Sequence, residues 1–277
     1  MRQSRLRKLS GDAGPGQPII KYRHLFLLLL LGFAVPAAAI TVSPISAELD
    51  LSGRRSHLIT VINTDEHRSV PVKVDVFTWM LTPQGADKRG PADDVIAFPG
   101  QFILKPGEQR SVRVAPRYTQ APDIEKTYRV LIYEVPVDLQ GDASAEPRTG
   151  IRLLTAYATA FYVRPAKPRS ELRLDAVQRR AGGLLFKLSN HGNAHTHLRH
   201  LRLLVTQDGT TARIEDPQAM QRFYNENVMA GSAREFAWQW PARGLDRIDT
   251  QRPLSVRMEL ECEACAAAHA VLETSVP

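Results

Sequence analysis

The chain has little of what most enzymes and nucleic-acid-binding proteins need. It carries no Gly-x-Ser-x-Gly elbow, no His-Glu-x-x-His helix and no glycine-rich phosphate loop, so nothing points to hydrolase or phosphoryl chemistry and nothing asks for a cofactor. Its only cysteines, Cys262 and Cys265, have no second pair to complete a zinc site. The apolar run Leu25 to Val35 is eleven residues long, short of the roughly 20 that a helix needs to span a bilayer. Helical periodicity is scarce throughout.

Positive charge is also scarcer than the totals suggest. A basic leader (Arg2, Arg5, Arg7, Lys8, Lys21, Arg23) precedes that apolar run, and Ala37-Ala38-Ala39 then gives an A-x-A cleavage pattern before Ile40. This predicts a signal peptide over residues 1–39, cleaved near Ala39, and an exported mature chain of 238 residues. The leader holds six Lys/Arg and one Asp, so its removal takes the formal charge from +7 to +2. A net charge that small offers no electrostatic case for nucleic acid.

The mature sequence is filled with short runs of period two. His57 to Asn63, Val70 to Trp79, Gln101 to Leu104, Ser111 to Ala115, Tyr128 to Val135 and Ile151 to Val163 read as strands, separated by turn signals such as Pro83-Gln84-Gly85 and Pro106-Gly107. Arg164-Pro165-Ala166-Lys167-Pro168 interrupts the series, because two prolines within four residues prevent a continuous ladder. A second series follows: Glu171 to Val177, Gly183 to Ser189, Leu198 to Val205, Glu235 to Trp240 and Leu254 to Leu260, with Ala212 to Asn227 expected to hold a short helix or a long loop. The expectation is an all-β chain of two antiparallel sandwiches, residues 40–165 and 166–277, joined at the proline elbow.

One segment stands apart. Thr149 to Pro165 alternates so that Ile151, Leu153, Tyr157, Phe161 and Val163 share a face with Thr155 and Thr159, while Leu154, Ala156, Ala158, Ala160 and Tyr162 occupy the other. Both faces are apolar, broken only by Arg152. A sandwich strand normally turns one face to water, so this one is either wholly buried or kept for a partner.

Several landmarks then coincide: Val42-Ser43-Pro44; Leu104-Lys105-Pro106-Gly107 before Ser111-Val112-Arg113-Val114; Tyr128 through Pro136; Phe161-Tyr162-Val163-Arg164-Pro165; Asn190-x-Gly192-x-x-His195; and Ala230-Gly231-Ser232. In their order and spacing the sequence resembles the periplasmic chaperones of chaperone-usher pilus assembly, with the Tyr128 to Pro136 run most similar to the archaic branch. The resemblance implies two immunoglobulin-like domains in an L or boomerang arrangement and a periplasmic location. Its implied partners are pilus subunits, which receive a lent strand, and an outer-membrane usher. The lent residues would be Ile151, Leu153, Thr155 and Tyr157, and an unloaded edge would self-associate. The family's two basic anchors for a subunit carboxylate fall here at Glu48 and Ala160, so Arg113, Arg129 and Arg152 are the substitute candidates.

Two other readings stay open. Cys262 and Cys265, in an exported chain, suit a disulfide or a redox or metal half-site. The dense histidines His191, His195, His197 and His200 would then serve an exported metal-binding or redox sandwich, although no carboxylate or thiol shows a ligand spacing with them. A structural adhesin or secretion accessory is the remaining possibility.

Overall fold

The structure is a computed structural model that describes residues 40–136, 154–262, 264–265 and 269–277. The leader, and with it Ile151, Arg152 and Leu153, lies outside the described residues.

Among the described residues the first half forms ten strands: β1 (Ile40–Ser43), β2 (Ser46–Leu49), β3 (His57–Asn63), β4 (Val70–Leu81), β5 (Asp87–Pro91), β6 (Val95–Phe98), β7 (Gln101–Leu104), β8 (Gln109–Pro116), β9 (Lys126–Glu134) and β10 (Ala156–Val163). One sheet has the order β1-β3-β8-β6, and the other β2-β10-β9-β4-β5, with β7 also on β4. Alternation explains the layering. In β9 every second residue from Tyr128 to Glu134 is buried, and Val130 and Ile132 join Phe161 and Val163 of β10 and Val112 and Val114 of β8 in one core. Pro44, lacking an N–H, breaks the ladder between β1 and β2, where the chain passes from the first sheet to the second. At the far end of β3 the buried Asn63 donates to the Leu104 and Lys105 carbonyls at 3.2 and 3.0 Å, which fastens the β7–β8 turn.

The second half contains β11 (Leu172–Arg180), β12 (Gly183–Asn190), β13 (Thr196–His197), β14 (Arg199–Gln207), β15 (Thr210–Ile214), the helix α1 (Pro217–Met220), β16 (Asn227–Val228), β17 (Ala233–Gln239), β18 (Leu254–Glu261) and β19 (His269–Val276). Sheet β11-β12-β17 packs on sheet β15-β14-β18-β19 through a separate core that includes Phe186, Phe223, Phe236, Val256 and Met258. The Asn190 to His195 turn is tied to the connecting segment. Asn190 Oδ1 accepts from the N–H of Glu171 and of Gly192, and Asn193 Oδ1 accepts from the N–H of Arg169 at 2.7 Å. Gly192 is required there, since a Cβ would lie 2.1 Å from the Arg169 carbonyl oxygen.

The expected strands are present, with shifted ends. Among the described residues the ladder of the two-faced strand begins at Ala156, the expected start at Ile151 lying outside them, and the span Ala212 to Asn227 holds α1, capped by Asp216, whose side chain accepts from the Gln218 and Ala219 N–H groups. His195 ends the turn that enters the two-residue β13, which holds His197. Strands β1, β2, β5, β6, β15, β16 and β19 were not anticipated. β5, Asp-Lys-Arg-Gly-Pro, carries no apolar alternation and is held by its ladder to β4.

Phe161 is fully buried in the first core, so Phe161→Ala should destabilise the protein by about 3–5 kcal/mol, read as a lowered urea midpoint with an unchanged slope.

Candidate functional site

The two-faced strand resolves into two unlike halves. From Ala160 to Val163, β10 pairs antiparallel with β9 on one flank and parallel with β2 on the other. Here Phe161 and Val163 fill the first core, while Ala160 and Tyr162 point the opposite way and join Trp79 and Met229 in a second, smaller cluster. Met229 belongs to the second half of the chain. This half-strand is therefore apolar on both faces because it lies between its own core and the second sandwich.

From Ala156 to Thr159 the arrangement changes. The β9 flank remains paired, but β2 does not reach this far, and among the described residues no strand pairs on the other flank. The Ala160 N–H donates to the Ile45 carbonyl at 3.0 Å on the β2 side, and the Thr155 carbonyl accepts from Glu134 on the β9 side. Backbone groups of a strand alternate between flanks, so those of Ala156 and Ala158 face the side without a strand. Leu154, Ala156 and Ala158 are exposed there.

Tyr162 anchors the locked half. Its ring stacks on His195 with centroids 3.9 Å apart, and its hydroxyl accepts from Asn227 Nδ2 at 2.8 Å. Burial, followed by the negative charge of Glu125, raises the phenol well above its ordinary range. His195 is itself buried, with Nδ1 2.7 Å from Glu125 Oε1 and Nε2 3.7 Å from Glu48. Glu125 Oε1 also accepts the His195 backbone N–H at 3.1 Å, and the carboxylate has Arg164 Nε at 4.0 Å.

Beside the change of flank lies a cleft of ≈ 530 Å³ whose walls include Trp79, Asp87, Arg129, Ala160, Tyr162, His197 and Asn227. Arg129, on β9, sits opposite Ala160 in the ladder. Its guanidinium lies 3.5 Å over the Trp79 ring, with Nη2 3.6 Å from Asp87 Oδ1 and Nη1 donating to the Ala158 carbonyl at 3.3 Å. Trp79 Nε1 donates to the same Asp87 carboxylate at 2.8 Å. Partial burial acts to raise the Asp87 carboxyl, but hydrogen bonds from Arg89 and Trp79 and the charges of Arg129 and Arg89 outweigh it, leaving it below its usual range.

Against the sequence expectations, Arg129 is brought to the site and Arg113 is not. Arg113 is exposed on β8, in the sheet that does not contain β10, because β8 pairs β3 and β6. Thr155 is half-buried at the strand's entrance. Tyr157 is held by its own sandwich, packing against the first core and donating its hydroxyl proton to the Ile40 carbonyl at 3.0 Å. Ala160, where the resemblance places a lysine, has the Arg129 cation beside it on the next strand. Glu48, where the resemblance places an arginine, is paired with Arg164. Trp79, Asp87, Glu125, Tyr162 and Asn227 were missed as site residues. Trp79 and Tyr162 lay within expected strands, but no pattern in sequence separates a residue at the cleft from one in a core.

Of the four histidines only His195 and His197 meet, their rings edge to face with centroids 5.2 Å apart. His195 is engaged by Glu125, His191 Nε2 lies 2.9 Å from Ser189 Oγ, and His200 is exposed at 3.6 Å from Glu261. Among the described residues no three His, Cys, Asp or Glu are grouped to hold a metal ion. Cys262 and Cys265 are joined to each other by a disulfide.

Asp87 supplies a pH test. Its depressed carboxyl contributes stability that is present above the unfolded value of about 3.9 and lost as pH falls through the lower folded value. Asp87→Asn should therefore lower the urea midpoint at neutral pH, and the difference from the parent should shrink as the pH falls towards about 3. A difference that stays constant with pH would contradict this.

Known proteins share this fold. Residues 48–168 match the model of the PapD N-terminal domain, described as a pili and flagellar-assembly chaperone domain. The class 5 fimbriae chaperone CfaA has the same fold, with a TM-score of 0.54 at 16% identity over 85% of this chain and 98% of its own. A chain of the CsuC–CsuE chaperone–tip adhesion subunit pre-assembly complex, from the archaic chaperone-usher Csu pili of Acinetobacter baumannii, gives 0.55 at 16% over 86% and 98%. A chain of the Salmonella enterica SafA pilin–SafB chaperone complex gives 0.51 at 15% over 87% and 98%. None of the curated proteins matches the chain. The architecture is thus the two-domain immunoglobulin-like fold of these chaperones.

Proposed function

We propose, from the match of residues 48–168 to the pili and flagellar-assembly chaperone domain, that the protein captures pilus subunits by lending them the open flank of β10. The observation that carries this reading is the half-paired strand: β9 accompanies β10 along its whole length, while β2 stops at Ala160. An extended segment of a subunit lacking a strand of its own would continue the sheet where β2 stops, pairing with the backbone of Ala156 and Ala158. This is recognition by β-augmentation, in which the ladder sets register and alternate side chains give selectivity.

Magnitudes assign the roles. A net backbone hydrogen bond contributes about 0.5–1.5 kcal/mol, and a fully buried Ile or Leu side chain about 1.5–3 kcal/mol. The ladder at Ala156 and Ala158 therefore aligns the subunit, and Ile151 and Leu153, which share a strand face by sequence alternation, supply most of the affinity. Arg129 takes the place of the absent basic anchors. It borders the open flank through the Ala158 carbonyl and faces the cleft, where a terminal carboxylate would compete with Asp87 for its guanidinium.

On this reading residues 1–39 are removed on export to the periplasm, residues 40–165 form the subunit-binding domain and residues 166–277 the second domain. The loaded chaperone then passes its subunit to an outer-membrane usher. The work is binding and transfer rather than catalysis. The same free flank would pair two unloaded copies.

Ala158→Pro tests the mechanism, because it removes one N–H from the open flank, where an edge proline is tolerated. The variant should keep its unfolding midpoint to within about 1 kcal/mol yet lose subunits on co-purification from an expressing cell, with the bound polypeptide identified by mass spectrometry. Ile151→Asp combined with Leu153→Asp should lose them completely. Capture at parental yield by the double variant would refute the strand-lending reading.

A further inference from the structure

Arg234 is the largest fully buried side chain of the described residues, yet it carries a charge and lies at the edge of the second core rather than inside a site. A buried guanidinium is costly unless its donors are engaged. Here Nη1 donates to the Asn227 carbonyl and Nη2 to Glu226 Oε2, each at 2.5 Å, and the plane lies 5.1 Å from the Phe236 ring. The fork thus grips two consecutive residues, Glu226 and Asn227, both of which line the cleft.

The other side of the guanidinium meets the first sandwich. The β4–β5 turn, closed by the Gly85 N–H donating to the Thr82 carbonyl at 2.8 Å, rests on it. Gly85, whose φ of +92° favours glycine, brings the turn so near that a Cβ there would stand 2.7 Å from Nη2. The neighbouring Glu235 N–H donates to the Pro83 carbonyl at 2.7 Å, and Gln84 Nε2 donates to the Glu235 carboxylate at 3.2 Å. Asn227 closes the circuit, since its amide donates to the Tyr162 hydroxyl on β10 while its carbonyl accepts from Arg234.

We propose that Arg234 is a positioning residue that sets the cleft beside β10. It clamps the Glu226–Asn227 wall of the second sandwich and seats the β4–β5 turn of the first against it. This deepens the reading that β10 captures subunits and rests on it. Without the fork the open flank of β10 survives, but the wall over its cleft is no longer fixed.

The test compares the parent, Arg234→Met, which keeps the apolar bulk without the fork, and Arg234→Lys, which keeps the charge but reaches one acceptor. Each is examined by thermal unfolding, small-angle X-ray scattering and subunit co-purification. Arg234→Met should remain folded, show a larger maximum dimension in scattering and lose capture by on the order of tenfold or more. Arg234→Lys should fall between. A merely structural residue would change the unfolding temperature without changing the scattering of the folded protein. Should Arg234→Met fail to fold, Gly85→Val pushes on the same guanidinium from the first sandwich and should produce the same expansion. Parental scattering from whichever variant folds would overturn the proposal. Loss of capture in Ile151→Asp with Leu153→Asp, together with parental capture in Arg234→Met, would overturn this role for Arg234 and leave strand lending standing. Capture undiminished in the Ile151/Leu153 double variant would remove strand lending, while the scattering would still judge the clamp.

Discussion

Each residue of a β-strand sends its backbone groups to one flank and its side chain to one face, and both choices alternate. The architecture around β10 follows from that constraint. From Ala160 to Val163 all four directions are filled, by β9, by β2, by the first core and by the small cluster around Trp79 and Met229. From Ala156 to Thr159 β9 continues and Tyr157 still packs against the first core, while β2 is gone and Ala156 and Ala158 are exposed. One continuous strand can therefore be immobile at one end and available at the other without any hinge within it.

The cleft at this transition is charged in a balanced way. Arg129 is held by the Trp79 face and by Asp87, and Glu48 by Arg164. Arg129 lies over the Trp79 face, 3.6 Å from Asp87 and bonded to the Ala158 carbonyl at 3.3 Å; in the proposed function an incoming carboxylate would compete with these partners. The Glu125–His195 pair does different work. It is buried, it stacks beneath Tyr162, and it fastens the second sandwich to the locked end of β10. In the proposed function, charge near the open end serves recognition, and charge near the closed end joins the two sandwiches.

Much of this was legible in the sequence, for reasons of period. Half-buried strands such as Tyr128 to Glu134 announce themselves by alternation, and the double-sided apolarity of Thr149 to Pro165 singled out the segment that contains β10. Alternation could not say which half is enclosed, because that depends on where β2, a four-residue strand with one buried alanine and one buried leucine, happens to end. Asp-Lys-Arg-Gly-Pro gave no sign of β5, since an edge strand held by backbone bonds needs no apolar face. Arg129 was one of three candidates, and Arg113 differed from it only in tertiary placement: neighbouring residues on either strand look alike until the sheets are assigned. Arg234 was invisible, because a buried arginine at a strand's start reads like any solvated one.

Hydrogen–deuterium exchange resolved to single residues along β10, in the free protein and with a pilus subunit bound, addresses the shared strand most directly. The account predicts that the amides of Ala156 and Ala158 exchange rapidly in the free protein and become protected in the complex, while those of Phe161 and Val163 are slow in both. Protection of Ala156 and Ala158 already complete in the free monomer, or unchanged by a bound subunit, would contradict it.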